Sequence, residues 1–233
     1  MAAKQLGCAM IQIPVQEICE SVDRVIVAGW TGRNAKAIDA HIEELALLGV
    51  DPPSRTPLFY QVDSRSVSNS DNISVLGEKT SGEVEPVVFF DGTQLYLGVG
   101  SDHTDRDLEV TSVAHSKAVC PKPMSETFWL LDSVIERIDQ LELRSWITNP
   151  SVGDQVLYQT GSLIQIKPLL ELLQIADTEN AINPKKPFLM FCGTIPVQDE
   201  LVFARHFHFG IFDDVANQSI EHSYTITPLE IVK

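Results

Sequence analysis

Apolar residues follow two rhythms along this chain, strict alternation and helical spacing, and each predicts a different element. Residues 8–14 and 23–30, the latter reading DRVIVAGW, predict short strands. NAKAIDAHIEELALLGV predicts a helix with Ile38, Ile42, Leu45 and Leu48 on one stripe, Asn34 as its cap and Gly49 as its stop. Beyond the rigid loop DPPSRTP, LFYQV predicts a strand and SRSVSNSDN a polar connection. VEPVVFF and QLYLGVG, joined through DGT, predict a hairpin. SETFWLLDSVIERI predicts a second helix capped by Ser125, and IKPLLELLQIA a third. Further strands are predicted at LELRSWI, QVLYQTG, LVFARHFHFGIFDD and HSYTITPLEIV, with PFLMFCGTIP as a buried strand ending in a Gly-Thr turn. Neither an alternating βαβα order nor a Gly-rich phosphate loop is present. The pattern therefore predicts a strand-rich α+β domain with helices packed around it.

Composition narrows the function classes. The chain has 233 residues, 44% of them hydrophobic, enough for one sizeable core. Seventeen Lys and Arg stand against 32 Asp and Glu, for a formal charge of −15. That balance argues against nucleic-acid or anionic-membrane partners, which need a basic face, and otherwise serves solubility. The four cysteines, at 8, 19, 120 and 192, form no CxxC pair and suggest neither a zinc finger nor a disulfide framework. No apolar stretch precedes QLGC and no run of eighteen apolar residues occurs, so a cytoplasmic protein is expected.

The hairpin carries the candidate chemistry. In GEVEPVVFFDGTQLYLGVGSDHTDRDLE, Glu83 and Glu85 are two apart, so on a strand they share a face about 6.5 Å apart. The turn at 91–93 returns Asp102 toward the same end. Three carboxylates so gathered repel one another unless a cation sits between them, and hard oxygen ligands suit Mg²⁺, Mn²⁺ or Ca²⁺ better than zinc. The alternative is a solvated strand end whose acids never meet. His206 and His208, two apart, could share a strand face, but no third ligand is evident, and solvent-facing histidines between buried phenylalanines are the simpler reading. Trp129 and Trp146 are expected in the core.

GEVEPVVFFDG resembles the Glu-x-Glu strand of the fumarylacetoacetate hydrolase superfamily, and SDHTDRDLE resembles its Asn-Asp-x-Ser/Thr-Ala-Arg-Asp-x-Gln segment. The two occur in the family's order, and the likeness extends over most of the chain. It implies that Glu83, Glu85 and Asp102 hold Mg²⁺, Mn²⁺ or Ca²⁺. Thr104, Arg106 and Asp107 fall on the rest of the second motif, Arg106 as a substrate contact or as a structural partner. His41 and Glu44 match a His and a Glu that lie on a lid over the metal and could hold a water and take its proton near neutral pH. One helical turn separates them, so a hydrogen bond between them is feasible; the plainer reading has His41 bordering the apolar stripe. Lys117, in AHSKAVCPKP, matches a lysine that holds a substrate oxygen. Gln159 in YQTGS and Thr194 in FCGTIP match residues that face the substrate.

The resemblance implies a mixed β-roll or β-sandwich with helices around it. It also implies a single catalytic domain over 1–233, with residues 1–70 as its strand and lid-helix part, a homodimer, and a small carboxylic-acid substrate. The implied activity is metal-dependent hydrolysis of a C–C bond in 2-oxo or acylpyruvate-type acids through an enolate. Decarboxylation, isomerisation and non-catalytic binding of a small diacid are the alternatives. The departures cluster around the substrate: Trp30-Thr31 after the early Gly, Gln61 after LF, and His103 and Asp105 inside the second motif. They mark a divergent, bacterial branch.

Overall fold

Two kinds of strand sequence build two kinds of sheet. In the computed structural model, which describes residues 8–47, 52–148 and 153–232, the side chains of His41, Glu44 and Leu45 lie outside that description. The first part of the chain supplies β1 (Met10–Gln12), α1 (Val15–Ser21), β2 (Arg24–Gly29), α2 (Ala35–Leu47), β3 (Leu58–Val62), β4 (Val67–Ser68) and β5 (Asn72–Leu76). The hairpin region supplies β6 (Thr80–Ser81), β7 (Val84–Phe90), β8 (Leu95–Ser101) and β9 (Thr104–Asp105). Two short helices follow, α3 (Arg106–Glu109) and α4 (Val113–Ala118), then β10 (Lys122–Pro123), β11 (Thr127–Leu130) and α5 (Leu131–Val134). The remainder supplies β12 (Glu142–Thr148), β13 (Gln155–Ser162), α6 (Leu169–Thr178), β14 (Phe188–Phe191), β15 (His206–Asp213) and β16 (Gln218–Leu229).

Seven strands form one sheet in the order β1-β11-β8-β7-β14-β2-β3, with β14 parallel to β2 and the other neighbours antiparallel. Five form the second, β13-β12-β15-β16-β5, with β16 parallel to β5. β7 is continuously apolar apart from Glu85 because both faces of its sheet are covered. One face packs on the second sheet, where Val84, Val88, Leu97 and Val99 meet Leu143, Phe207, Phe209 and Tyr224. The other packs under α1, where Val87, Phe89 and Phe191 meet Val15 and Ile18. β12 instead alternates half-buried and buried positions, since its outer face meets solvent. This is the strand-rich α+β arrangement that the pattern predicts.

The differences have local causes. The predicted helix from Ser125 is instead strand β11, then α5, then a 3-10 turn over Ile135–Gln140. Phe128 and Trp129 project to opposite cores, which only extended chain allows, and Trp129 pairs with both Met10 and Leu97. Ser125 Oγ accepts from Thr127 N at 3.1 Å and caps no helix. α1, not predicted, begins where Val15 N donates to the Glu126 carboxylate at 2.8 Å, a cap from 111 residues away. β4 lies in the stretch read as a polar connection and forms because β10 pairs with it, while β5 starts at the last residue of that stretch and is held by β16. Trp146, expected in the core, is half-buried on the outer face, stacked on His208 with ring centroids 5.0 Å apart. α2 follows its predicted course, with Asn34 Oδ1 accepting from Lys36 N at 3.1 Å; Leu48 and Gly49 lie outside the described residues. No helix among the described residues is long and apolar enough to cross a membrane.

Candidate metal centre

The β7–β8 ladder brings the three acids together. Val84 pairs with Ser101 and Glu85 with Gly100, and Asp102 N donates to the Glu83 carbonyl at 3.0 Å. The period of two then puts Glu83 and Glu85 on one side, facing Asp102. One carboxylate oxygen of each lies within 4.8 Å of the others. Among the described residues this is the one group of three or more His, Cys, Asp or Glu with that spacing. Glu85 and Asp102 are buried and Glu83 half-buried.

Cations are folded in around them. Past β8 the chain enters α3 and α4, whose caps are the side chains of Asp105, accepting from Leu108 N at 2.9 Å, and Ser112, accepting from His115 N at 3.3 Å. These helices carry Arg106 and Lys117 back to the acids. Lys117 Nζ donates to Asp102 Oδ2 and stands 3.8 Å from Glu83 Oε2. Arg106 Nη2 pairs with Glu83 Oε1 at 2.9 Å, while its Nε donates to Ser81 Oγ at 2.7 Å and its Nη1 to Glu109 Oε2 at 2.8 Å. Lys122, fully buried, lies 3.1 Å from Asp102 Oδ1.

The protonation equilibria follow from this crowding. Burial, then the charges of Asp102 and Glu83, push the Glu85 carboxyl well above its ordinary range; Lys117 and a 2.8 Å hydrogen bond from Gly193 N only partly oppose them. Burial also acts upward on Asp102, but Lys117 and Lys122 outweigh it and hold its pKa below the usual value. Burial pulls Lys117 down, and Asp102, Glu83 and Glu85 more than reverse that.

The donor set fits a hard divalent cation. Three carboxylates converge, burial and the neighbouring acids drive Glu85 toward its protonated form, and Asp102 Oδ1 is buried with the Lys122 ammonium 3.1 Å away but no hydrogen bond. Buried acceptors are ordinarily satisfied, so an oxygen that has only an ion-pair neighbour in an acid cluster keeps lone-pair capacity for an oxygen-seeking ion.

The remaining candidates are placed as follows. His41 and Glu44 lie on α2, but their side chains are outside the described residues. Gln159, expected to face the substrate, is buried, and its amide is spent on the protein. Its Oε1 accepts from Val84 N at 3.1 Å and Ser145 Oγ at 2.9 Å; its Nε2 donates to Thr194 Oγ1 at 2.9 Å and Ile195 O at 2.7 Å. The Thr194 hydroxyl, likewise expected at the substrate, donates to the Val84 carbonyl at 2.8 Å. Both residues thus tie the Gly-Thr turn to the start of β7. Gly193 holds φ +96°, where a Cβ would collide with the Thr31 hydroxyl, so the turn approaches Glu85 as closely as it does only with glycine there. Arg106 pairs with Glu83 and Glu109 and donates to Ser81 Oγ, the contacts of a structural partner. His208 is half-buried and pairs with Glu221 at 3.0 Å, so the 206/208 pair follows the simpler reading.

Two buried groups escaped the sequence reading. Lys122 carries no local signal, since a Lys between prolines reads as surface. His103, noted only as a departure, is fully buried. Its Nδ1 shares a hydrogen bond with Tyr224 Oη and its Nε2 with Thr80 Oγ1, each at 2.9 Å. Burial, reinforced by Lys122 and Arg106, pushes its pKa down to about 3, so the ring is neutral.

The profile of the family described as "Protein of unknown function (DUF2848)" matches residues 28–224. No functionally curated protein is a significant match to the sequence. Solved structures do match. A 2-keto-3-deoxy-D-arabinonate dehydratase complexed with magnesium and 2,5-dioxopentanoate superposes with a TM-score of 0.60 at 14% identity, covering 93% of this chain and 82% of that one. A 2-hydroxyhepta-2,4-diene-1,7-dioate isomerase from Mycobacterium marinum gives 0.60 at 11%, covering 89% and 75%. A maleylpyruvate hydrolase from Sphingobium sp. SYK-6, in complex with manganese(II) and pyruvate, gives 0.56 at 15%, covering 89% and 71%. The fold is that of the fumarylacetoacetate hydrolase superfamily, as the two motifs imply.

Proposed function

The chain belongs to the DUF2848 family, and from the chemistry of its site we propose that it is a divalent-metal-dependent hydrolase of 2-oxo or acylpyruvate-type acids. The observation that carries this reading is the convergence of one carboxylate oxygen each of Glu83, Glu85 and Asp102 within 4.8 Å. Glu83, Glu85 and Asp102 would hold Mg²⁺ or Mn²⁺. When bound, such an ion supplies Lewis acidity toward the carboxylate and keto oxygens of a 2-oxo acid. Two of the structural neighbours support this ligand class, since their complexes pair magnesium with 2,5-dioxopentanoate and manganese with pyruvate.

The chain's own residues then divide the work. Lys117 keeps a positive charge beside Asp102, placed to attract a substrate carboxylate or a developing oxyanion. Arg106 fixes Glu83, and Gly193 N fixes Glu85. His41 and Glu44, one turn apart on α2, would hold a water and take its proton as it attacks the acyl carbonyl. Hydrolysis of an acylpyruvate adds that water across the C–C bond and releases pyruvate and a free carboxylic acid.

The test is turnover of a panel of acylpyruvates by EDTA-treated protein, with and without added Mg²⁺ or Mn²⁺, both products being quantified. Metal-dependent release of pyruvate and acid in equal amounts, lost in Asp102→Ala, is expected. Release of CO₂, or rearrangement without cleavage, would replace hydrolysis by decarboxylation or isomerisation. Absence of metal binding would remove the enzyme reading.

A further inference from the structure

Lys122 is the least explained charge in the molecule. Its side chain is completely buried, yet it sits in a short strand between two prolines. Nζ donates to three main-chain carbonyls: His103 at 2.7 Å, Cys120 at 3.1 Å, and Lys117. Three acceptors require three donors, and a neutral amine has only two, so the group is an ammonium. Its remaining neighbour is Asp102 Oδ1 at 3.1 Å, the oxygen that makes no hydrogen bond. A cation taken up by that oxygen would share it with a fixed positive charge that cannot swing into solvent.

The surrounding charge count sharpens the point. Glu83, Glu85 and Asp102 already face Arg106, Lys117 and Lys122, with Glu109 sharing Arg106. A bare divalent ion therefore enters a buried site whose charges are close to balanced, and like charges repel strongly there. A ligand that brings two negative charges with the ion restores the balance. We infer that Lys122 is a positioning residue that holds down the site's affinity for a bare divalent cation and so ties metal occupancy to the arrival of a dianionic, chelating ligand. This rests on the metal-centre reading above. It gives Lys122 a role distinct from that of Lys117, which faces Glu83 as well and is the cation placed to meet substrate. The coupling is reciprocal: the anion binds weakly without the metal, and the metal weakly without the anion.

The test measures Mn²⁺ binding by electron paramagnetic resonance in the wild type, Lys122→Gln and Lys122→Arg, each checked for folding by its melt in EDTA. Oxalate serves as the dianionic probe and acetate as the monoanionic one. Bare Mn²⁺ should bind at least about tenfold more tightly to Lys122→Gln than to the wild type, and with wild-type affinity to Lys122→Arg. Oxalate should tighten Mn²⁺ binding by a larger factor in the wild type than in Lys122→Gln, and acetate should do little in either. Unchanged or weaker binding of bare Mn²⁺ by Lys122→Gln overturns the inference while leaving the metal centre standing. Should the Gln variant not fold, the wild type decides: oxalate tightening no greater than that from acetate overturns it, and tightening by oxalate alone upholds it. No Mn²⁺ binding by the wild type under any of these conditions defeats the metal centre itself.

Discussion

Replacing Glu85 by Gln separates the cost of this acid from its use. The carboxyl is buried, and burial with the charges of Asp102 and Glu83 raises its pKa well above the ordinary value of 4.5. An acid whose folded pKa is raised binds more protons folded than unfolded once pH passes its unfolded pKa. Stability then falls as pH rises through that value, and the loss is complete only above the folded pKa. The slope inside the window is about 1.4 kcal/mol per pH unit. For a chain of this length each kcal/mol moves the melting temperature by about 2–4 °C. Gln keeps an oxygen for Gly193 N but carries no charge. In EDTA, the Glu85→Gln melt should therefore gain on the wild type by roughly 3–5 °C for each pH unit climbed above about 4.5, until the folded pKa is passed. Added Mn²⁺ should reverse the ranking. At about 100 times its dissociation constant it stabilises the wild type by about 2.7 kcal/mol, or roughly 5–10 °C, and Glu85→Gln far less. Differential scanning calorimetry across about pH 5–8 reads both effects. Parallel curves for the two proteins in EDTA, or equal stabilisation of both by Mn²⁺, would refute the reasoning.

Other changes test the frame around the acids. Lys117→Met leaves the buried Asp102 facing Lys122 alone and should cost about 3–5 kcal/mol in urea unfolding without metal. Gly193→Ala forces a side chain into a left-handed backbone against Thr31; a loss of about 1–3 kcal/mol from the backbone alone, with weakened Mn²⁺ binding because Gly193 N leaves Glu85, is the expected result. Phe209→Ala, between the two sheets against Phe207 and Tyr224, should cost about 3–5 kcal/mol with an unchanged urea m-value and no change in Mn²⁺ affinity.

The acids at the hairpin end were legible because a strand's period is local: positions 83 and 85 must share a face, and a tight turn must return the partner strand beside them. The DGT turn has Gly92 at φ +99° and Asp91 Oδ1 accepting from Thr93 and Gln94, contacts made within four residues of chain. α6 and β14 were legible for a similar reason, since spacing and apolar run length decide them. β11 was misread because TFWLL suits either a helix or a strand, and the choice fell to Met10 and Leu97, distant in sequence. Gln159 and Thr194 were placed at the substrate by motif order alone. In the folded chain their hydrogen bonds close on Val84, Ser145 and Ile195, contacts that no local pattern reveals.

By itself, the sequence determined the strand-rich class, the hairpin, and the identity and common face of the acids, because periodicity and turn chemistry act over a few residues. Tertiary structure alone decided the charge at the site. Whether a lysine is a surface charge or a buried counter-ion depends on which carbonyls and carboxylates close around it, and around Lys122 the Asp102 carboxylate and the His103 carbonyl come from a distant strand end while the Lys117 and Cys120 carbonyls come from its own turn. Nothing within a few residues of it in sequence marks Lys122 as the ammonium that Asp102 must share.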